Sequence, residues 1–300
     1  MTAVTGLDVP KTAVAVPPLL KSPGYWSGVW RRFKRDKVAV AAGIVVLLIV
    51  LMAIFADYLA PADPTRSSML RRLRPIGTPG YPLGADELGR DMLSRLIYGA
   101  RLSLFMGVAP VFIAFVFGSV IGIAAGFFGG RFNTVVMRTV DVFYAFPSVL
   151  LAIALSGALG AGIFNSILSL TIVFIPQIAR IAESVTTQVR SADYVEAARA
   201  SGAGSGTIIK VHVLGNVLGP IFVYATSLIS VSMILASGLS FLGLGTKPPT
   251  PEWGLMLNTL RTAIYVQPWV AALPGVAIFI TSISFNLLSD GLRSAMDVKG

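Results

Sequence analysis

The sequence has no cysteine, a single histidine and few charged residues. Of its 300 residues, 13% are charged. The lack of cysteine excludes disulfides, thiol catalysis and thiolate metal sites. The lone histidine, His212, has no acidic or thiolate partner close to it in sequence, so a structural role is favoured over a metal site. No segment matches the phosphate-binding loop G-x-x-x-x-G-K-[ST]. We therefore predict that this chain holds no catalytic, cofactor or metal site of its own.

Apolar residues, by contrast, make up 55% of the chain, and the mean hydropathy is +0.78. Soluble domains carry about a quarter charged residues, so this composition indicates a membrane protein surrounded by lipid. The net charge of +10 could suggest a nucleic-acid partner. In so apolar a chain, basic residues more often flank membrane spans and set their orientation. We therefore expect no nucleic-acid binding.

Six segments are apolar over about 20 residues, the length that crosses a bilayer. They predict an all-α, polytopic membrane protein whose transmembrane helices are Val38–Leu59, Arg101–Phe127, Thr134–Leu159, Ile163–Ile181, Val217–Gly238 and Trp269–Leu288. The first apolar run follows a polar leader and is too long for a signal peptide, so we expect no cleavable signal. Basic residues just before that run predict that both termini are cytoplasmic.

These spans divide the chain into five predicted parts. They are a cytoplasmic N-terminal tail (1–37), a first transmembrane helix (38–59), an extracytoplasmic insert (60–100), a five-helix core (101–288) and a cytoplasmic C-terminal tail (289–300). The core includes a cytoplasmic loop at 182–216 and an extracytoplasmic loop at 239–268. Within the insert, the apolar periodicity of Asp86–Ile97 predicts an amphipathic helix that lies on the membrane surface and leads into the second span.

Proline and glycine predict how the spans pack. Every span except the first contains a proline, which removes a backbone donor and favours a bend: Pro110, Pro147, Pro176, Pro220 and Pro274. Gly118, Gly122 and Gly126 recur at intervals of four in the second span, a stripe that permits close helix approach. The stripe fits packing within the chain or a seam between subunits. Hydroxyls on the last two spans fit bonds between helices or the lining of a passage.

A polar helix is predicted between two spans, from Asp193 to Gly202. Asp193 and Glu196 have the spacing of a capping box, and Gly202 is a natural helix stop. Alanines between them favour helix while keeping the surface slim, which suits a cleft in another protein. An ordinary loop helix remains the alternative.

Here the residues resemble a known family. Glu196-Ala197-Ala198, then Gly202, then Leu214 is similar to the EAA loop of ABC importer permeases, with Gly215 where that family has proline. The resemblance implies that the loop contacts a cytoplasmic ATPase. The residues predicted to couple to it are Asp193, Tyr194, Glu196, Ala197, Ala198, Gly202 and Leu214.

Further segments narrow the resemblance to the C-type permease of dipeptide and oligopeptide importers. They are Gly84–Asp91, Arg95–Arg101, Asp141 with Phe146–Ser148, Leu239–Gly245 and Pro251–Gly254. The resemblance implies a type I ABC importer permease fold in the cytoplasmic membrane of a bacterium. It also implies a second permease subunit, one or two ATPase subunits that hold ATP and Mg²⁺, and an extracytoplasmic substrate-binding protein. Peptides are the expected cargo, and nickel, glutathione or haem are alternatives.

A receptor-facing surface is predicted at the outer side, from Arg90 and Arg95 of the insert and Trp253 and Arg261 of the last outer loop. Aromatic residues there also fit an interfacial belt. Two other classes of function stay open from residues alone. An intramembrane enzyme would need a catalytic cluster at membrane depth, and a passive channel would conduct without ATP. The spans show no ionisable residue clearly at a midpoint, which disfavours a proton- or sodium-coupled carrier.

Overall fold

The computed structural model describes residues 25–296, and this range is helical without any β-strand. Residues 1–24 of the predicted N-terminal tail and the last four residues of the predicted C-terminal tail lie outside the described residues. The helices are α1 (Tyr25–Arg35), α2 (Lys37–Ile54), α3 (Ala56–Leu59), α4 (Met92–Phe128), α5 (Gly130–Tyr144), α6 (Ser148–Leu159), α7 (Ile163–Arg190), α8 (Asp193–Ala200), α9 (Ser205–Ile208), α10 (Leu214–Phe241), α11 (Trp253–Thr259) and α12 (Pro268–Met296).

Five stretches of helix are long and apolar enough to cross a membrane: α2, α4, α7, the run Ser205–Phe241, and α12. The pair α5 and α6 supplies a sixth span if it is counted as one, although its two halves meet at 86°. The six predicted spans are therefore confirmed with that reading of the pair. Several helix ends differ from the predicted ends of the spans. In particular, α7 and α12 continue past those ends into the segments predicted as loop and tail.

A proline interrupts a span at one place. Pro147 lies at the break between α5 and α6. The other four prolines lie inside helices that continue past them. The missing backbone donor of a proline therefore does not end a helix that neighbouring helices hold on several sides.

The insert between α3 and α4 corrects one prediction. The expected helix does not start at Asp86, because residues 86–91 form a turn and α4 begins at Met92. The Asp86 carboxylate accepts hydrogen bonds from the backbone N–H of Leu88 and of Arg90, and Gly89 has a φ of +69°. A left-handed glycine of this kind stops a right-handed helix. Asp91 then caps α4 by accepting the Ser94 N–H at 2.8 Å.

The glycine stripe of α4 packs against α7 of the same chain. A Cβ built on Gly122 would lie 2.6 Å from the Cβ of Ala182 and 2.9 Å from the backbone nitrogen of Glu183. A Cβ on Gly126 would lie 2.7 Å from the carbonyl oxygen of Glu183. The stripe therefore serves packing within the chain, one of the two alternatives left open by the sequence.

Two apolar clusters form the core. One lies among α4, α7 and α10 and extends to Val195 of α8. The other lies among α2, α4, α11 and α12 and includes Trp253. The first cluster thus connects the spanning helices with the polar helix predicted to dock on a partner, while the second holds the outer loop on the bundle.

Candidate functional site at the inner loop

Helix α8 is where the sequence predicted it, and it is attached through one side only. The Val195 side chain is fully buried in the apolar cluster of α4, α7 and α10. Asp193, Ala197 and Ala200 lie on the opposite side and are exposed. A helix with one buried anchor and a slim exposed face can enter a cleft without first unpacking from its own bundle.

The end of α8 is fixed by backbone hydrogen bonds. The N–H of Ala203 donates to the carbonyl of Ala198 at 3.1 Å, and the N–H of Gly202 donates to the carbonyl of Arg199 at 3.0 Å. With Gly202 at a φ of +83°, this is the Schellman arrangement that glycine makes possible. The predicted stop at Gly202 is confirmed.

The predicted capping box at the start of α8 is wrong. The N-cap is Ala192, which makes no side-chain hydrogen bond, and Asp193 is already the first helical residue. Asp193 and Glu196 therefore remain exposed in the first turn, where negative charge is favoured by the helix dipole. Their carboxylates are consequently available to a partner rather than used in capping.

A contact that sequence reasoning missed joins α8 to α10. The Asn216 side-chain amide donates to the Tyr194 hydroxyl at 3.2 Å, and also to the carbonyl of His212 at 2.7 Å. The rings of Tyr194 and His212 lie 6.2 Å apart. The only signal in the sequence was that an aromatic residue on α8 and polar residues near the start of α10 flank one short loop.

The chain between α8 and α10 is not a loose loop. After α9, residues Ile209–Val213 form one π-helical turn, which runs directly into α10 at Leu214. Gly215, at the place where the resembled family has proline, lies inside the continuous helix. A π-turn inside an otherwise helical run is frequent at functional sites. Helical backbone is therefore continuous from Ser205 to Phe241, after the four-residue turn that follows α8.

Charged residues also cluster where α5 and α6 break apart. Arg180 of α7 forms an ion pair with Asp141 of α5, and its guanidinium lies 4.9 Å from the centre of the Tyr144 ring. Glu183, three residues further along α7, does not pair with Arg180. Instead, Glu183 accepts a hydrogen bond from the Asn133 amide at 2.6 Å, so α7 holds α5 through two separate polar contacts.

Several hydroxyls of the last two spans bond within their own helix. Ser227, Ser230 and Ser284 each donate to a carbonyl three or four residues earlier in their own helix. Between the two helices, Thr226 bonds to Ser289 at 3.0 Å, and the Ser289 hydroxyl donates to the carbonyl of Val223 at 3.1 Å. Within residues 25–296, the buried hydroxyls of Ser232 and Ser282 have no hydrogen-bond partner. Ser230, Ser237 and Ser282 line a groove between α10 and α12 that is otherwise largely apolar.

The outer face corrects the predicted receptor surface. Arg90 and Arg95 are 4% and 1% exposed, and both lie against the carboxylate of Asp86, with Nε–Oδ2 distances of 2.6 and 3.3 Å. Arg95 also donates to the carbonyl of Pro64 at 2.9 Å. Because buried charges must be paired, these arginines hold the insert together and present no surface to a receptor. A residue that contacts a receptor must be exposed, and Arg90 and Arg95 are buried.

Trp253 is likewise buried, at 1% exposure, and its indole N–H donates to the carbonyl of Leu96 at 2.9 Å. Beside it, Glu252 of the Pro251–Gly254 segment accepts the N–H groups of Gly254 and Leu255 and the hydroxyl of Ser103 with its carboxylate. Burial raises the pKa of Glu252 above its ordinary value. Of the four residues predicted to face a receptor, Arg261 is the one that is exposed.

With this geometry in view, residues 118–299 match the sequence profile of the family described as "Binding-protein-dependent transport system inner membrane component". Residues 24–75 match the profile of the N-terminal transmembrane domain of oligopeptide transport permease C. The first match includes α8 and all of its anchoring contacts. The chain belongs to the binding-protein-dependent transport permease family. The expected resemblance to ABC importer permeases is confirmed.

Curated members of this permease family align over nearly the full length. The glutathione transport system permease protein GsiD of Pectobacterium atrosepticum is 41% identical over 292 residues, covering 96% of this chain and 97% of the relative. GsiD of Escherichia coli O6:K15:H31 is 42% identical over 283 residues, covering 94% and 93%. The solved MetNI methionine ABC transporter matches at 20% identity with a TM-score of 0.57, covering 68% of this chain and 97% of that one. That likeness shows the type I importer permease fold.

Proposed function

We propose that this permease forms half of the membrane pathway of an ATP-driven importer for small peptides, with a second permease subunit as the other half. The relatives' names point to glutathione, which is itself a tripeptide, while the N-terminal domain profile is that of an oligopeptide permease. Both favour a peptide backbone as the shared chemistry of the cargo. Nickel and haem importers of the same family are the alternatives.

The observation that carries this proposal is the one-sided attachment of α8. Its exposed face carries Asp193 and Glu196 beside the small side chain of Ala197, and its opposite side is anchored by Val195. We infer that the exposed face docks on a cytoplasmic ATPase subunit, which places both termini of the chain in the cytoplasm. ATP and Mg²⁺ are then bound and used by that partner.

Transmission follows from the contacts of α8. When ATP draws the ATPase subunits together, α8 moves with them, because it is the part of this chain in their groove. Val195 and Tyr194 join α8 to the apolar cluster and to Asn216 of α10. The bases of α7 and α10 therefore move with α8, and the pathway between the two permeases changes its open side. An extracytoplasmic binding protein delivers the cargo.

Transport by the reconstituted complex tests the docking role. Ala197→Trp fills the slim face of α8 with a bulky ring and leaves Val195 and Tyr194 in place, so the protein should still insert in the membrane. We expect it to lose coupled transport together with stimulation of ATP hydrolysis by the loaded binding protein. The matched control is Ala62→Trp, an exposed alanine on the outer insert. Full coupled transport by Ala197→Trp would reject docking through this face.

The cargo class needs a separate measurement, because the binding protein selects what is delivered. Calorimetry on the binding protein that stimulates this transporter, titrated with glutathione, a dipeptide, haem and Ni²⁺, separates the alternatives. We expect binding of glutathione or the dipeptide. Binding of Ni²⁺ or haem alone would refute the peptide cargo while leaving the importer mechanism intact.

A further inference from the structure

The N-terminal helix α1 has features that neither the family assignment nor the docking loop explains. Sequence reasoning placed residues 25–35 in a polar tail, but they form a helix of eleven residues with three basic residues in its last turn: Arg32, Lys34 and Arg35. Its residues separate into an apolar side, with Val29 buried, and an exposed side with Arg31, Lys34 and Arg35. Such a strongly amphipathic, basic helix is typical of membrane interfaces.

The neighbouring helices fix the depth of α1. Only Asp36 separates α1 from α2, and its carboxylate caps α2 by accepting the N–H groups of Val38 and Ala39 at 3.0 Å. The apolar run of the first span thus starts one turn or less after α1 ends. At the other side, the Arg32 Nε donates to the carbonyl of Ala295 at 2.8 Å, near the end of the spanning helix α12. Because the apolar residues of the first span begin at Val38, the end of α1 lies where that span meets the lipid headgroups. The Arg32 bond ties α1 to the part of α12 that runs past its predicted membrane segment.

The exposed side chains suit that level chemically. The Trp30 ring, 58% exposed, stacks on Phe33 with centroids 5.9 Å apart, and the Lys34 ammonium lies 5.0 Å from the Trp30 ring centre. Within the described residues, Arg31 and Arg35 form no ion pair. Tryptophan prefers the boundary between hydrocarbon and water, and basic side chains snorkel toward anionic headgroups.

We propose that α1 is an interfacial helix that binds anionic phospholipid headgroups through Arg31, Lys34 and Arg35. Arg32 is excluded from this role because it is already bonded to α12. A protein partner with an acidic surface is the competing occupant. Lipid is favoured because α1 is tied at both sides to the ends of spanning helices, so its cationic side faces headgroups without any rearrangement. A basic residue near an anionic surface strengthens binding by about fivefold.

Native mass spectrometry of the full chain in detergent tests this, with phosphatidylglycerol and phosphatidylcholine added in equal amounts. The wild-type chain should retain phosphatidylglycerol with a preference of at least roughly tenfold. The triple variant R31Q/K34Q/R35Q should lose that preference. The matched control R66Q/R72Q/R74Q removes the same charge from exposed arginines of the outer insert and should keep it.

A charge-preserving variant guards against a misfolded helix. R31K/R35K retains every positive charge and should bind phosphatidylglycerol as the wild type does. An unchanged lipid preference in R31Q/K34Q/R35Q would overturn the proposal. An equal loss of preference in R31Q/K34Q/R35Q and R66Q/R72Q/R74Q would also overturn it, because it would show an effect of net charge alone. An absent preference in the wild type would overturn it as well and would favour the acidic protein partner.

Discussion

The contact between α4 and α7 permits a quantitative prediction at Gly122. In Gly122→Ala the new Cβ would lie 2.6 Å from the Ala182 Cβ and 2.9 Å from the Glu183 nitrogen. Carbon atoms in favourable contact are about 3.5–4.0 Å apart, so the helices must separate by roughly 1 Å. Overpacking of this kind typically costs about 1–3 kcal/mol.

Thermal unfolding of the purified protein in detergent measures this cost. A loss of about 1–3 kcal/mol corresponds to a fall in the apparent Tm of several degrees, at about 2–4 °C per kcal/mol for a chain of this size class. Gly157→Ala is the matched control, because Gly157 lies inside α6 and a Cβ there meets nothing within 4 Å. That control should be neutral or slightly stabilising, since alanine favours helix. An unchanged Tm in Gly122→Ala, or an equal fall in both, would refute the packing argument.

Three further predictions concern the buried Val195, the buried Glu252 and the exposed Arg261. Val195→Ala should raise the rate of amide hydrogen exchange in α8, because it weakens the anchor of that helix by about 2 kcal/mol. Val211→Ala, at an exposed valine, should leave that rate unchanged. Equal exchange rates in the two variants would contradict this prediction. Because burial raises the pKa of Glu252, the native state binds its proton more tightly, so stability should fall as pH rises above 4.5, and Glu252→Gln should flatten that dependence in Tm measurements. Arg261→Glu should lower stimulation by the binding protein, and unchanged stimulation would remove Arg261 from that interface.

The spans and helix α8 could be predicted because each depends on local pattern. About 20 apolar residues must cross the bilayer, and Gly202 must end α8, whatever the rest of the chain does. The resemblance around Glu196 added the prediction that an ATPase subunit is the partner of α8. The predicted capping box of α8 is wrong because the N-cap is Ala192 and Asp193 follows it inside the helix. The exact boundaries of a helix are less certain than its presence.

The outer face could not be predicted because burial there depends on contacts between distant segments. Arg95 bonds to the carbonyls of Pro64 and Pro249, 31 and 154 residues away in sequence. Arginines beside an apolar helix face look exposed when only neighbouring residues are considered. The hydrogen bond from Asn216 to Tyr194 could not be predicted for the same reason. Nothing in the sequence indicates which side chain contacts a tyrosine hydroxyl.

The central claim is that α8 docks on a cytoplasmic ATPase, and chemical crosslinking tests it most directly. The chain has no cysteine, so Ala197→Cys introduces a single thiol on the exposed face of α8. Labelled with a maleimide that carries a benzophenone and then irradiated, this position should crosslink to the co-expressed ATPase subunit, whereas Ala62→Cys on the outer insert should not. A crosslink from Ala62→Cys and none from Ala197→Cys in the assembled transporter would contradict the account.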